Sequence, residues 1–239
     1  MFKKLILNLG FLSTLVFGAT FDDAENAYQK RDFQTAFAIF EDLALKGDAK
    51  AQYNLGGMYY QGRGVKLSRQ KAIEWWEKSA NQGFTVAQSS VGVMYEQGKG
   101  VKQDYQKAIE WFEKAANQGQ IEAQYNLGIM YENGRGVTQD YAKAIEWFEK
   151  AANQGFAKAQ FHLGSMYYEG HGIKEDYKKA FELYEKSAAQ GHTNAQNNLG
   201  VMYFKGQGVE KDKKIAIEWF KKACDGGHQG GCNSYKKLN

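Results

Sequence analysis

The string "AQYNLGGMYYQGRGV" at Ala51 returns as "AQSSVGVMYEQGKGV" at Ala87, "AQYNLGIMYENGRGV" at Ala123, "AQFHLGSMYYEGHGI" at Ala159 and "AQNNLGVMYFKGQGV" at Ala195. The step is 36 residues each time, with no insertion. A second string keeps the same step: "KAIEWWEKSANQG", "KAIEWFEKAANQG" twice, "KAFELYEKSAAQG" and "IAIEWFKKACDGG". A fixed period of this length means one supersecondary unit built repeatedly. Within the unit, Ala51, Leu55, Met58 and Tyr59 fall at i, i+4, i+7 and i+8, the apolar stripe of a helix. Ala72, Ile73, Trp76 and Ala80 make a second stripe. Gly56 lies beside the first, where a missing side chain admits another helix. "GRGV" joins the two helices, and Gly83 stands where glycine ends a helix. One helix pair leaves its apolar face bare, whereas stacked pairs bury it. The pattern therefore predicts an all-α solenoid of helix-turn-helix repeats.

These residues resemble the Sel-one-like repeat (SLR) family, a longer relative of the tetratricopeptide repeat. The Ala-Gln start, the Leu-Gly, the Met-Tyr, the Gly-x-Gly-Val loop and the Ala-Ile-Glu-Trp-Phe helix carry the resemblance from Ala51 to about Cys232. It implies a right-handed α/α superhelix with each unit's first helix on the concave side. We expect repeats at 51–86, 87–122, 123–158, 159–194 and 195–230, after a degenerate first unit at 20–50. In that unit Ala36, Phe40 and Ala44 keep register with Ala72, Trp76 and Ala80. A cap helix over 231–239 completes a single solenoid, 20–239.

Residues 1–19 read separately. Lys3 and Lys4 precede an apolar run from Leu5 to Phe17, then Gly18 and Ala19, which is the layout of a cleaved secretory signal peptide. The expected location is exported, periplasmic or secreted, with no membrane insertion after cleavage. Removing the two lysines from 31 basic and 27 acidic side chains leaves a charge of about +2, too balanced to argue for nucleic acid. There are 27 glycines and no proline, yet aromatics reach 15%, enough for a folded core.

Ser68 and Lys71 have the Ser-x-x-Lys spacing of penicillin-recognising enzymes. In the repeat, however, the Ser68 column continues as Asp104, Asp140, Asp176 and Asp212. Serine and aspartate share the capacity to cap a helix N-terminus, so Ser68 is read as a cap. Neither S-D-N nor K-T-G occurs in the chain. His192 and His228 share a permissive column with Phe84, Gln120 and Phe156, and His171 is in a linker. No histidine has metal-ligand spacing, so no catalytic residue, metal or cofactor is expected. Glu74–Lys78, Glu110–Lys114, Glu146–Lys150, Glu182–Lys186 and Glu218–Lys222 are expected as i,i+4 pairs on wet helix faces. The Trp111–Phe112 type of pair is assigned to the core.

The outward stripe of the first helices varies from unit to unit. Its candidate binding residues are Tyr53, Asn54, Tyr60, Ser90, Tyr125 and Asn126, with Phe161, His162, Tyr168 and Asn198 further along. An amide both donates and accepts, so Asn54, Asn126 and Asn198 could clamp an extended peptide backbone, with aromatic rings giving apolar contact. The expected function is a monomeric, non-catalytic scaffold binding a protein or extended peptide. Cys224 and Cys232, eight residues apart at the last helix turn, resemble the pairs of the exported Helicobacter cysteine-rich protein family. That resemblance implies a disulfide. It also implies the alternative of a β-lactamase or penicillin-binding hydrolase, an activity ascribed to that family.

Overall fold

The computed structural model describes residues 18–239. Among them are thirteen α-helices and no strand. They group into two compact units with the division after Gln120. The first holds α1 (Phe21–Gln29), α2 (Phe33–Leu45), α3 (Ala49–Gln61), α4 (Arg69–Asn81), α5 (Thr85–Gln97) and α6 (Tyr105–Asn117). The second holds α7 (Ile121–Asn133), α8 (Tyr141–Asn153), α9 (Ala157–Glu169), α10 (Tyr177–Ala189), α11 (Thr193–Lys205), α12 (Lys213–Asp225) and α13 (Gln229–Leu238). In each unit, the most extensive helix packing is between sequence neighbours, the arrangement of an α/α solenoid. The signal-peptide reading falls almost wholly on residues 1–17, outside the described residues.

Helix starts follow from the caps. The Ser68 hydroxyl accepts the Lys71 backbone N–H at 3.3 Å. The carboxylates of Asp104, Asp140 and Asp176 accept at the same offset, each at 3.0 Å. Backbone angles at Ser68 (φ −152°, ψ 102°) and Asp104 (φ −151°, ψ 99°) match. The Lys71 ammonium rests over the Tyr59 ring, 5.2 Å from its centroid. Ser68 is thus a cap, and its hydroxyl and Lys71 are not arranged as nucleophile and base. Ser68→Asp should leave stability unchanged or raise it by up to about 0.5 kcal/mol, because a carboxylate suits the positive helix end. A loss above ~1 kcal/mol in urea melts would contradict the cap.

Packing depends on one glycine per repeat. A methyl group at Gly56 would meet Trp76 Cδ1 at 2.5 Å. At Gly92, Gly128, Gly164 and Gly200 it would meet Phe112, Phe148, Tyr184 and Phe220 at 2.5–2.9 Å. The large ring of each second helix therefore lies directly on the backbone of its first helix. Phe112 and Phe148 are fully buried, each stabilising by about 2–3 kcal/mol. Gly100 (φ +79°) couples successive repeats, since a side chain there would strike the Arg69 backbone at 2.6 Å.

A buried glutamine ladder supplies polar register. Gln52, Gln88 and Gln160 each donate to a carbonyl of the preceding helix, at Ala44, Ala80 and Ala152. Each also accepts from a glutamine 30 residues on: Gln82, Gln118 and Gln190. At Gln196 the residue 30 on is Gly226, and the Gln196 carbonyl oxygen has no partner. Breaking a rung elsewhere strands a buried amide, which costs about 1–3 kcal/mol.

The second-helix surface differs from expectation. No ion pair among the described residues joins Glu74 to Lys78 or their sisters. The ammoniums of Lys78, Lys114, Lys150 and Lys222 lie instead over Trp75, Trp111, Trp147 and Trp219, at 3.8, 4.0, 3.7 and 4.1 Å from the ring centroids. Lysine three residues after tryptophan lies one turn along the same face, and a cation gains more over an indole than beside an exposed carboxylate. These tryptophans are half-buried, so of each aromatic pair only the second ring, Trp76, Phe112, Phe148 or Phe220, is core.

Candidate functional site

In the unit ending at Gln120, α1, α3 and α5 present their outward stripes around a recess of about 400 Å³. Tyr53, Asn54 and Tyr60 line it from α3, and Ser90 from α5. The Tyr53 and Tyr60 rings stand 6.2 and 5.4 Å from the Trp76 ring. Trp76 is fixed from below by its indole N–H, which donates to the Tyr53 carbonyl at 2.9 Å. Four expected residues thus come together. The Ser90 hydroxyl, however, donates to the Val86 carbonyl of its own helix at 2.9 Å, so its proton is already committed. The Asn54 amide has no hydrogen-bond partner among the described residues.

Sequence reasoning missed the α1 side of this recess, formed by Glu25, Tyr28 and Gln29. The Tyr28 hydroxyl donates to Gln61 at 3.4 Å and accepts from the Arg63 guanidinium. The degenerate unit has a shorter linker, so the 36-residue frame does not align α1 with its sisters. Trp76 was placed in the core, and it is also the recess floor.

In the unit beginning at Ile121, the expected residues form polar-aromatic chains. The Tyr125 hydroxyl lies 3.2 Å from His162 Nε2, and His162 Nδ1 lies 3.6 Å from a Glu132 carboxylate oxygen. Burial first, then Glu132, pushes the Tyr125 hydroxyl above its ordinary pKa. Phe161 packs on His192 with ring centroids 4.7 Å apart. Tyr168 donates to Gln207 at 2.8 Å. Tyr184 occupies the ring position held elsewhere by Trp76, Phe112, Phe148 and Phe220. Its hydroxyl lies 3.0 Å from that of Ser165 and is bonded by Asn198, and burial pushes its pKa up to about 12. Asn198 is therefore engaged, whereas the Asn126 amide has no partner among the described residues.

The column read as permissive has a structural use. Phe84 and Phe156 pack their rings against Tyr53 and Tyr125, at 5.4 and 5.3 Å. His192 and His228 cap α11 and α13, their Nδ1 atoms accepting from Ala195 and Gly231 at 3.4 and 2.9 Å. Only a deprotonated Nδ1 can accept. Burial first, then His162 and Lys158, lowers the His192 pKa. A folded-state pKa below the unfolded value of about 6.5 contributes stability that is complete above that value and lost as pH falls through the folded one. His192→Asn, a cap that does not titrate, should shrink the drop in melting temperature between pH 7.5 and pH 5. An unchanged drop would contradict this assignment.

Cys224 and Cys232 are joined by a disulfide, with Cα atoms 4.4 Å apart. Among the described residues, no group of three or more His, Cys, Asp or Glu side chains could hold a metal ion. No helix among them is long and apolar enough to cross a membrane.

A family model described as the Sel1 repeat matches residues 49–84, 85–120, 121–156, 157–192 and 193–228. Among solved structures, the chain superposes on a protective antigen of uropathogenic Escherichia coli strains displaying an SLR fold. That match has a TM-score of 0.83 and 38% identity, and covers 86% of this chain and 44% of the antigen chain. A Sel1 repeat protein from Oxalobacter formigenes gives 0.82 and 28%, covering 90% and 86%. A curated Sel1-like repeat-containing protein of Acanthamoeba polyphaga mimivirus is 60% identical over 38 residues, which are 16% of this chain and 6% of that protein.

Proposed function

The chain belongs to the Sel1 repeat family, and from that membership we propose that it is a non-catalytic scaffold holding a protein or extended peptide against the first-helix face of its repeats. The observation that carries the reading is the Asn54 amide, unpartnered among the described residues between Tyr53 and Tyr60 at a recess of about 400 Å³. A free amide serves the N–H and the C=O of one peptide unit at once. The flanking rings cover apolar stems while keeping their hydroxyls wet. Asn126 offers the same group in the second unit.

Export belongs to the proposal. It rests on the leader pattern of residues 1–19 and on the Cys224–Cys232 disulfide, which suits an oxidising compartment. The mature chain acts as a monomer in this reading, since Leu45, Leu67, Val86 and Phe204 are exposed as single apolar side chains.

The test is peptide display against the purified chain. Asn54→Ala should weaken a selected peptide about 10-fold, the scale of one well-made hydrogen bond, and leave the thermal melt in place. Unchanged affinity after Asn54, Asn126 and Asn198 are all replaced by alanine would rule out the clamp.

A further inference from the structure

We propose that the recess beside α1 and α3 is a seat for a cationic side chain, so that the partner presents a lysine or arginine there. The inference rests on the peptide-binding reading above and names its chemistry.

The lining points to a cation by its shape and its charge. Tyr53 and Tyr60 form walls over the Trp76 floor, and the faces of such rings attract cations. Glu25 is the only formally charged residue on the lining, and its carboxylate has no ion-pair partner among the described residues. An adjoining depression shares Glu25, Tyr53 and Asn54 and adds one residue of each sign, Asp22 and Lys50. An aliphatic side chain seated there would leave Glu25 facing an apolar group, whereas an ammonium or guanidinium would neutralise it.

The rest of the molecule shows how this chain treats aromatic faces. Lysines cover Tyr59, Tyr95, Tyr131 and Tyr167, at 5.2, 5.2, 5.1 and 5.1 Å, as well as the four tryptophans already described. Among the described residues no cation of the chain lies over Tyr53, Tyr60 or Trp76. The repeat comparison makes the recess singular. Gly57 is replaced by Val93, Ile129, Ser165 and Val201 in the sisters, and Trp76 by Phe112, Phe148, Tyr184 and Phe220. Tyr60 is replaced by Glu96, Glu132, Tyr168 and Phe204. The open glycine, the outer tyrosine and the indole coincide in one repeat, next to the unpaired Glu25. A methyl group at Gly57 would meet nothing within 4 Å, so the recess is open above it.

The experiment titrates the isotope-labelled chain with Nα-acetyl-arginine amide, Nα-acetyl-lysine amide and the uncharged Nα-acetyl-norleucine amide. Binding is read by NMR at the Trp76 indole N–H, assigned with Trp76→Phe. Both cationic probes should bind at least fivefold more tightly than norleucine. Glu25→Gln should cut that preference below twofold, and Gly57→Val should abolish binding with no loss of melting temperature. Equal or tighter norleucine binding, an unaltered preference in Glu25→Gln, or cation-induced shifts that bypass Trp76 would each overturn the proposal. A display-selected peptide that loses affinity with Asn54→Ala but not when its own lysines and arginines become norleucine would sink the cation seat and leave the peptide-binding reading standing. A peptide indifferent to the loss of its own cations and to joint replacement of Asn54, Asn126 and Asn198 by alanine would sink the two together.

Discussion

Alanine at Gly56 should destabilise the protein by about 2 kcal/mol, whereas alanine one residue later, at Gly57, should stabilise it by about 0.5–1 kcal/mol. Both glycines lie inside α3, where glycine costs roughly 0.5–1 kcal/mol relative to alanine, so local propensity alone gives the two changes the same sign. Surroundings reverse one of them. At Gly56 the new methyl meets Trp76 Cδ1 and Nε1 at 2.5 and 2.6 Å and the Ala72 carbonyl oxygen at 3.0 Å. The indole must move, and it is both buried and hydrogen-bonded to Tyr53. Overpacking of this kind costs about 1–3 kcal/mol, and a strained hydrogen bond adds to it. At Gly57 nothing lies within 4 Å of the methyl. Urea melts of the two variants decide the matter: opposite shifts in midpoint with unchanged slope are expected, and shifts of one sign would contradict the packing account.

Reduction of Cys224–Cys232 should release α13 while leaving the other repeats folded. The bond closes a loop with a sequence separation of eight, worth roughly 2–3 kcal/mol on the loop-entropy estimate. Little apolar burial holds the helix otherwise: among its residues only Gly231 is buried, against Ala223. Repeat stability is mostly nearest-neighbour, so the loss stays local. Hydrogen exchange with and without reductant should accelerate after about Gly226. Acceleration spread evenly over Ala87 to Gly191 would contradict this account.

The period makes most of the fold legible in the sequence. Every helix pair from Ala49 onward follows from stripes repeated at a step of 36, and the Ser68 cap was readable because four sister repeats place aspartate there. The candidate site was only half legible. Tyr53, Asn54 and Tyr60 stood out by facing away from the buried stripe. Glu25 and Tyr28 did not, because the first unit breaks the frame through its shorter linker. The lysine–tryptophan contacts were hidden by a competing pattern, since each lysine also stands four residues after a glutamate. Exposed ion pairs are weak, and a cation placed one turn from an indole takes the ring instead. Column variety at Phe84, Phe156, His192 and His228 looked like tolerance, yet two residues pack as rings and two cap helices.

The central claim, that the first-helix face of the repeats is the binding face, is tested most directly by mapping a display-selected peptide on the labelled chain by backbone amide shifts. Perturbations should gather on α3 around Tyr53, Asn54, Gly57 and Tyr60 and on the facing residues of α1. Perturbations confined to the outer second-helix face, around Trp75, Trp111 and Trp147, with α3 silent, would contradict it.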